Sequence, residues 1–449
     1  MNRRRSSKGF VTVFTLGMLY VLLSIDWRGH KPARPPRVAL FFQATGAFSA
    51  GAARVDLRPR LPTPVAGYPP PRPIASESGP LFARALVLRA GERSVGLASA
   101  EVLEIPEPVA RAVREKGRAL GLSDVVVTAT HTHTSFGGYD ERLVARIAAT
   151  GHYDEALEQH LIAKLVEALV KAQGAIRPAS VKVAQTALAG ISANRDAEGG
   201  AVDDRLSAIE LDDAQCAAIA RVVGFGSHAT LTARDTKRLE GDWPGWAMEK
   251  LEEKGGVAIL LQGAVGDASS RPPEGPGTPA ERMGARVAQA ASEALSGRPQ
   301  VAGEPGFAFA AVEISLPRAE ADNAVPSFLR RPAANILHAV APRKAEVALI
   351  RLPGLTLVCL PVEPTAGAAK IVRERIFAFV AKDEAVAIVS LAQGYLGYVE
   401  DPAVVREGKG EAKRMLFEPE LLERLALGVV TGMEATEAAK AGPRMGGAP

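Results

Sequence analysis

Residues 125–138 read VVVTATHTHTSFGG, an apolar run that ends in two histidines and then turns on two glycines. The run is rich in β-branched residues, which is typical of a buried strand, and the glycines predict a turn directly after it. His131 and His133 are two of only seven histidines in 449 residues. Histidines at positions i and i+2 of an extended segment point to the same face, so one can bind a metal while the other faces the same reactant. The pattern is equally typical of two hydrogen-bonded polar side chains, and both interpretations stay open here.

Strand-like and helical patterns alternate along the chain, which predicts an α/β architecture. The predicted strands are 93–99, 124–130, 180–187, 220–227, 257–262, 346–352, 355–360 and 386–391. The predicted helices are 107–121, 154–172, 278–296, 365–380 and 418–435. Two segments interrupt the alternation, 269–279 and 317–344, and we expect both to be loops over a site.

The charge of the chain is unevenly distributed. Residues 1–37 contain eight Lys or Arg residues and one Asp, whereas the whole chain has a net charge of +4, so the rest of the chain is mildly acidic. A mildly acidic body without a basic stripe argues against a nucleic-acid partner. Cys216 and Cys359 both lie in apolar stretches. We expect two buried thiols and no disulfide framework.

The amino-terminal segment has the pattern of a targeting signal: a basic start, an apolar stretch from Phe10 to Ile25, and a polar, proline-rich tract. We expect residues 1–26 to be a signal or anchor segment, 27–46 a linker, 47–441 one catalytic domain and 442–449 a disordered tail. The protein is then exported, either anchored in a membrane through this segment or secreted.

Five apolar runs are each followed by a side chain that can bind a metal or transfer a proton. Sites in open α/β sheets form where the carboxyl ends of strands meet, so these groups can converge, provided that the neighbouring strands are not antiparallel. His131, His228 and Glu363 would supply nitrogen and oxygen ligands and leave a position open, a set that suits catalytic zinc. The five runs are VVVTAT before His131 and His133, ARVVGFGS before His228, VAILLQGAVGDA before Ser269, LTLVCLPV before Glu363 and AIVSLAQGYLG before Tyr398.

Each of these residues also has a purely structural interpretation. Ser269 follows a Gly-Asp pair that is ordinary turn chemistry, and Glu363 precedes a predicted helix whose dipole favours a carboxylate. Tyr398 competes with Tyr395, and either can be a packed aromatic residue with a bonded hydroxyl. Arg195, in the segment ISANRD, has the same kind of alternative, since an arginine in a loop is commonly solvated or salt-bridged.

Several blocks, taken together, resemble the catalytic domain of the neutral ceramidase family. The blocks ATHTHTSFGGYDE, FGSHATLTARDTKRLEGDWPGWA, LLQGAVGDAS, LPVEPTAG and LAQGYLGYVED occur in the order that the family has. The segment FSAGAARVDLRPRLPTPVAGY, from Phe48 to Tyr68, is similar to the opening strand and turn of that domain. The resemblance extends from Ala47 to about Gly432.

The resemblance implies a fold of layered β-sheets flanked by helices, α/β/β/α-like. It also implies a zinc-dependent amidohydrolase that cleaves the N-acyl amide bond of ceramide or a related lipid amide into a sphingoid base and a fatty acid. The residues that it implies are His131, His228, Glu363 and Tyr398 as zinc ligands, His133 and Ser269 as catalytic residues, and Arg195 as a substrate-binding residue.

The chain departs from the family pattern at one position of the site. A family tyrosine about a dozen residues after the GY block has no match, because Gly410 stands there. We also expect no carboxyl-terminal immunoglobulin-like domain. These departures keep two alternatives open: an exported zinc hydrolase of the same fold that acts on a different amide or ester, and a non-catalytic binding protein.

Overall fold

The computed structural model describes residues 15–16, 18–20, 22–25, 34–70, 72–301, 305–320 and 325–440. The strands are Arg37–Ala44 (β1), Phe48–Asp56 (β2), Thr63–Pro64 (β3), Ile74–Ala75 (β4), Glu77–Ser78 (β5), Phe82–Ala90 (β6), Arg93–Ala100 (β7), Asp124–Ala129 (β8), Arg177–Pro178 (β9), Ser180–Ala187 (β10), Ser192–Asn194 (β11), Arg205–Asp212 (β12), Ala218–Phe225 (β13), Arg238–Leu239 (β14), Val257–Gln262 (β15), Ala268–Ser270 (β16), Phe307–Ser315 (β17), Lys344–Leu352 (β18), Leu355–Cys359 (β19), Glu363–Pro364 (β20), Ala385–Val389 (β21) and Tyr398–Val399 (β22).

Helices alternate with these strands. They are Glu107–Ala119 (α1), Leu143–Ala148 (α2), Glu155–Gly174 (α3), Asp242–Glu252 (α4), Pro279–Leu295 (α5), Ser327–Val340 (α6), Ala366–Ile376 (α7), Pro402–Arg406 (α8) and Glu420–Lys440 (α9), with short 3₁₀ turns at Phe377–Phe379 and Gly410–Arg414. Local sequence signals explain where several helices begin. At α5, the Thr278 side chain accepts from the Glu281 N–H and the Glu281 side chain accepts from the Thr278 N–H, a complete capping box.

Three principal sheets form the framework. The first has the strand order β8-β7-β6-β2-β9, the second β10-β12-β13-β15 and the third β1-β17-β18-β19-β21. Most neighbouring strands are antiparallel, but each sheet has one parallel pair at an edge. These pairs are β7–β8, β13–β15 and β19–β21. The carboxyl ends of the paired strands therefore point the same way within each sheet.

The three sheets share one apolar core and carry helices on their outer faces. Leu97 of the first sheet, Ile259 of the second and Leu357 of the third belong to the same buried cluster. Helices α1 and α3 cover the first sheet, α7 and α9 the third, and α4 and α5 the second. Burial of each large apolar side chain contributes about 1.5–3 kcal/mol, so this common core holds the sheets together.

The three parallel edges meet at their carboxyl ends. The Ser390 N–H donates to the Gln262 carbonyl over 2.8 Å, and the Gln393 N–H donates to the Val127 carbonyl over 2.8 Å. The Gln262 side-chain amide donates to the Thr130 carbonyl over 2.8 Å. These bonds join β8, β15 and the residues after β21, so groups that follow these strands are brought to one place.

The predicted α/β architecture is confirmed, and each predicted helix and strand is present with shifts of a few residues at its ends. Helix α4 was not predicted because its sequence, DWPGWAMEKLE, carries Pro244 and Gly245. Both residues lie in the first turn, where a proline has no intrahelical hydrogen bond to lose.

Three predictions need correction. The segment 317–344 is not entirely a loop, since it contains α6. The linker predicted at 27–46 is too long, because β1 pairs with β17 in the third sheet. Cys216 is exposed and Cys359 is buried, both as free thiols, so only one of the two predicted buried thiols is buried.

The predicted amino-terminal anchor, Phe10–Ile25, lies partly outside the described residues, and the predicted tail at 442–449 lies wholly outside them. Across the part of the chain that the structure describes, no helix combines the length and the apolar character that a membrane crossing requires.

Candidate functional site

The chain leaves strand β8 just before the two histidines. His131 has a backbone φ of 61°, in the left-handed region that a non-glycine residue seldom adopts. The sequence interpretation placed the two histidines in an extended segment, but the chain turns at His131, so they do not continue the strand. The turn brings both rings to one site, with their centroids 4.8 Å apart. A residue held in this region at a cost of about 1–3 kcal/mol is typical of functional sites.

Three histidines are anchored in the same way. The Nδ1 atoms of His131, His133 and His228 contact the carbonyl oxygens of Leu103, Gly67 and Ala268 at 2.8, 2.9 and 3.1 Å, respectively. A carbonyl only accepts, so each Nδ1 carries the hydrogen and each neutral ring keeps its lone pair on Nε2. This backbone contact also fixes the orientation of each ring.

The free nitrogens converge with a carboxylate. The Nε2 atom of His131 lies 3.4 Å from Nε2 of His133 and 3.1 Å from Oε2 of Glu363. The same Oε2 lies 3.3 Å from Nε2 of His228. Ligand atoms of the three histidines all lie within 4.8 Å of one another, an arrangement that could hold a metal ion. The predicted convergence of His131, His228 and Glu363 is therefore observed, and His133 lies beside them.

Burial sets the protonation of these groups. Burial lowers the pKa of His228 to about 4 and lowers the pKa of His133 well below its usual value. Burial by itself raises the pKa of Glu363, but positive charge at the adjacent His131 and His228 nitrogens outweighs burial and holds that pKa well below the usual range. At neutral pH, His133 and His228 are thus neutral and Glu363 is a carboxylate.

The donor set fits a divalent metal. Oε2 of Glu363 is buried and has no hydrogen-bond partner among the described residues. An unpaired carboxylate oxygen that faces imidazole lone pairs is costly unless a cation lies between them. Imidazole nitrogen and carboxylate oxygen are ligands that zinc accepts.

Both candidate tyrosines lie at the site. The Tyr398 hydroxyl lies 3.4 Å from Nε2 of His228, where it can join the ligands. The Tyr395 hydroxyl donates to Oε1 of Glu363 over 2.5 Å. Both tyrosines follow the same apolar run, and the sequence interpretation favoured Tyr398 as the ligand; the structure gives the two hydroxyls different positions.

Arg195 directly follows β11, which pairs with β16 beside the site. Its Nη1 lies 3.2 Å from Nε2 of His228, and its guanidinium carbon lies 5.3 Å from the centroid of the Tyr398 ring. Its Nε donates to Oε1 of the buried Glu411 over 2.7 Å. Glu411 was missed by the sequence analysis, because in EGKGEAKRM it carries no pattern that separates it from its charged neighbours.

Ser269 lies in β16, directly beside His228. The two residues form a parallel β-bridge, and Ser269 is half-buried. The neighbouring Ser270 hydroxyl donates to the His228 carbonyl over 2.7 Å, which fixes the backbone that carries the histidine. Ser269 is therefore held in the same layer as the candidate ligands.

Asp267, and not Glu363, supplies the carboxylate at the start of α7. Its Oδ1 accepts from the Ala366 N–H over 3.0 Å, and the Thr365 side chain caps the same helix. The structural interpretation of Glu363 as a helix-start carboxylate is therefore wrong. Asp267 was missed because Gly-Asp reads as turn chemistry.

Gly67 permits the close packing of His133. It has a φ of +103°, and a Cβ there would lie 2.6 Å from Nδ1 of His133. A side chain at this position would therefore displace the ring. The displacement would also disturb the hydrogen bond that the Gly67 carbonyl accepts from Nδ1 of His133.

Fold and site together define a mixed α/β protein with a buried set of donors that could hold a metal ion, where three sheets meet. Residues 80–259 match the family model of the neutral/alkaline non-lysosomal ceramidases, N-terminal domain. The fold matches the crystal structure of neutral ceramidase from Pseudomonas aeruginosa with a TM-score of 0.75 at 18% identity, over 88% of this chain and 75% of that one. It also matches a ceramidase complexed with C2, with a TM-score of 0.75 at 18% identity, over 88% of this chain and 76% of that one.

The comparisons confirm the resemblance to the neutral/alkaline ceramidase family, and they confirm the fold class. No curated protein sequence matches the chain. The roles that the resemblance implies for the individual site residues stay predictions.

Proposed function

We propose that this protein is a zinc-dependent amidohydrolase that cleaves the N-acyl amide bond of ceramide or a related lipid amide. The observation that carries the proposal is the buried convergence of histidine Nε2 atoms on the unpaired Oε2 of Glu363. The match of residues 80–259 to the ceramidase family supports an amide substrate.

His131, His228 and Glu363 would hold the zinc ion, with the Tyr398 hydroxyl beside them. Bound zinc supplies Lewis-acid polarisation of a carbonyl and a bound water whose pKa is lowered to about 7. The Glu363 carboxylate would balance one of the two positive charges of the zinc ion. Burial raises the pKa of Tyr398 well above the usual value, so the hydroxyl keeps its proton at neutral pH unless a cation offsets that cost.

His133 would transfer the proton. Its Nδ1–H is committed to the Gly67 carbonyl, so Nε2 is the atom that can accept a proton. Burial lowers the pKa of this ring, which keeps it neutral and able to act as a base near pH 7. Nε2 takes a proton from the attacking water and delivers it to the amide nitrogen, as the carbon–nitrogen bond breaks and the amine leaves.

Ser269 and Arg195 would stabilise the negative charge that develops on the carbonyl oxygen. The half-buried Ser269 hydroxyl, on the strand beside His228, can donate to that oxygen. Glu411 holds Arg195 with its guanidinium beside His228 and Tyr398. Hydrogen bonds to a charged oxygen are worth more in a buried site than in water.

Zinc content and ceramide turnover, measured on one preparation, test the proposal. His131→Ala and His228→Ala should lose both bound zinc and activity, because each removes a ligand. His133→Ala should keep zinc and lose activity by roughly 10²–10⁴-fold, the usual contribution of a general acid–base residue. His152→Ala is the matched control, since His152 is an exposed histidine, and it should retain both.

The result also separates the alternatives. If the zinc-loaded protein hydrolyses soluble acyl amides or esters but leaves labelled ceramide intact, the result favours a zinc hydrolase with a different substrate. If the folded protein binds no zinc and shows no turnover after zinc is added, the result favours a non-catalytic binding protein. A fully active His133→Ala would contradict the assigned proton transfer.

We propose further that the protein is exported and held at a membrane through its amino-terminal segment. The support is the basic start and the apolar stretch Phe10–Ile25. Mass spectrometry of the amino-terminal peptides of membrane-extracted protein tests this. An intact apolar stretch would support the anchor, and a mature terminus at residues 30–46 would contradict it.

A further inference from the structure

Helix α6 exposes an apolar face, which we call the α6 face. It consists of Phe328, Leu329, Ile336 and Val340, whose exposed fractions are 64%, 38%, 48% and 73%. At about 100° per residue, these four positions fall within roughly one third of the helix circumference. Scattered exposed apolar residues are normal, but four on one face of a single helix indicate a contact surface.

The segment around this face is basic. Residues 325–344 contain Arg330, Arg331, Arg343 and Lys344 and no Asp or Glu, and of these Lys344 forms an ion pair with Glu313 of β17. An amphipathic helix with apolar residues on one side and basic residues at its flanks is typical of helices that lie in the interface of an anionic membrane.

The α6 face lies at the same end of the third sheet as the site. In the strand register, Ala348 of β18 pairs with Cys359 of β19, so the start of β18 and the end of β19 lie at the same end of the sheet. Glu363 follows β19 shortly after that end. Helix α6 connects β17 to β18 and therefore lies at the same end of the sheet.

The amino-terminal segment enters the domain at this end of the third sheet as well. Strand β1 begins at Arg37, which pairs with Glu313 near the end of β17. The Asn335 side-chain amide in α6 donates to the Leu23 carbonyl over 3.0 Å. Leu16 and Met18 of that segment are 59% and 53% exposed. The two segments therefore contact each other, and both carry exposed apolar side chains.

Two backbone contacts connect this surface to the site. Ala319, which precedes α6, forms an antiparallel bridge with Phe417. Met415, two residues earlier, forms an antiparallel bridge with Gly397, which is adjacent to Tyr398. Residues 415–417 therefore bridge a residue that precedes α6 in the chain to the neighbour of a candidate metal ligand.

We propose that the α6 face docks on an anionic lipid surface, beside the amino-terminal segment, so that the end of the third sheet that bears the site faces the membrane. The basic flanks would contact lipid headgroups while Phe328 and Val340 enter the apolar boundary. Entry of a lipid amide from that membrane rests on the proposed function, whereas the docking itself does not.

Fluorescence quenching by brominated lipids tests the contact in the full-length chain. F328W is reconstituted with vesicles of phosphatidylcholine and phosphatidylglycerol that carry bromine on the acyl chains, and the emission of the unsubstituted protein is subtracted. The added indole should lose emission in the brominated vesicles, because quenching requires contact with the acyl region. F377W is the matched control, since Phe377 is 78% exposed but follows α7 at the opposite end of the third sheet, and it should not be quenched.

Arg331→Glu in the F328W background tests the electrostatic part, and it should reduce the quenching in anionic vesicles. Equal emission of F328W with and without brominated lipid would overturn the proposal, and so would equal quenching of F328W and F377W. A concentration-dependent dimer that forms without lipid and shields the indole would assign the face to a second copy instead. Because quenching is read without turnover, an inactive protein that is quenched would contradict the proposed function alone.

Discussion

Tyr395 fixes one oxygen of Glu363 while the other oxygen faces two imidazoles. Its hydroxyl donates to Oε1, and Oε2 lies within 3.3 Å of Nε2 of both His131 and His228. Burial raises the pKa of Tyr395 well above its usual value, so the hydroxyl stays a donor throughout the physiological range. Tyr395 thus positions the carboxylate, with Oε2 left to face a cation.

Tyr395→Phe should weaken zinc binding about 10–100-fold, because a ligand that loses the partner fixing its orientation binds more weakly. Competition with a chromophoric chelator measures the affinity directly. Tyr153→Phe is the control, since the Tyr153 hydroxyl likewise donates to a glutamate, Glu158, outside the site. Equal zinc affinity in Tyr395→Phe and the unsubstituted protein would show that the hydrogen bond does not position Glu363.

Asp267 should make stability depend on pH. Burial raises its pKa from 3.8 to about 6, so the folded protein binds this proton more tightly than the unfolded chain. The resulting stability is fully present below pH 4 and is lost as the pH rises to 6. A shift of this size corresponds to roughly 2–3 kcal/mol.

Asp267→Asn should remove this part of the dependence. Urea unfolding at pH 4, 5, 6 and 7, with a chelator present so that bound metal does not contribute, gives the free energy of unfolding. The unsubstituted protein should lose more stability between pH 4 and pH 6 than the variant does. Parallel pH profiles of the two proteins would contradict the assignment.

At the scale of elements, tight backbone contact sets how helices seat on sheets. Gly51 of β2 lies under the end of α3, and a Cβ there would lie 2.2 Å from the Ala172 carbonyl oxygen. No side-chain movement can relieve a contact with backbone, so the helix would have to move. The fit between α3 and the first sheet therefore depends on one missing methyl group.

Gly51→Ala should lower the free energy of unfolding by about 1–3 kcal/mol, the usual cost of overpacking. Urea unfolding followed by circular dichroism measures the change. Gly174→Ala is the control, because a Cβ there would meet nothing within 4 Å, and it should change stability little. A Gly51→Ala protein as stable as the control would refute the proposed contact.

At the scale of the whole molecule, the site exists because three sheets meet at their parallel edges. Gln262 is at that junction and is fully buried. Its side-chain amide donates to the Thr130 carbonyl over 2.8 Å and to the Ser227 carbonyl over 3.2 Å. These acceptors directly precede His131 and His228, so one amide joins the two backbones that carry candidate ligands.

Gln262→Leu should destabilise the protein by about 2–6 kcal/mol, because it leaves two buried carbonyls unpaired at about 1–3 kcal/mol each. It should also weaken zinc binding, since the histidine backbones lose their common support. Gln289→Leu is the control and should be neutral, since Gln289 is exposed and its side chain donates to Glu293 of the same helix. Loss of stability with unchanged zinc affinity would show that Gln262 stabilises the fold without positioning the candidate ligands.

The sequence by itself determined the alternation of helices and strands, because hydrophobic period and capping residues act within a few neighbouring positions. It also indicated His131, His228, Glu363 and Tyr398, since each follows an apolar run and matches a family block. These signals are local patterns or short motifs, and both can be recognised in a single sequence.

Only the tertiary structure decided how these residues meet. The left-handed turn at His131, the parallel edge pairs and the bond from Tyr395 to Glu363 join segments far apart in the chain. Helix α6 was hidden for a related reason: four of its apolar residues face outward, so the pattern did not mark a buried face. Contacts between distant segments depend on how the sheets pack on their shared core, and no local pattern encodes that packing.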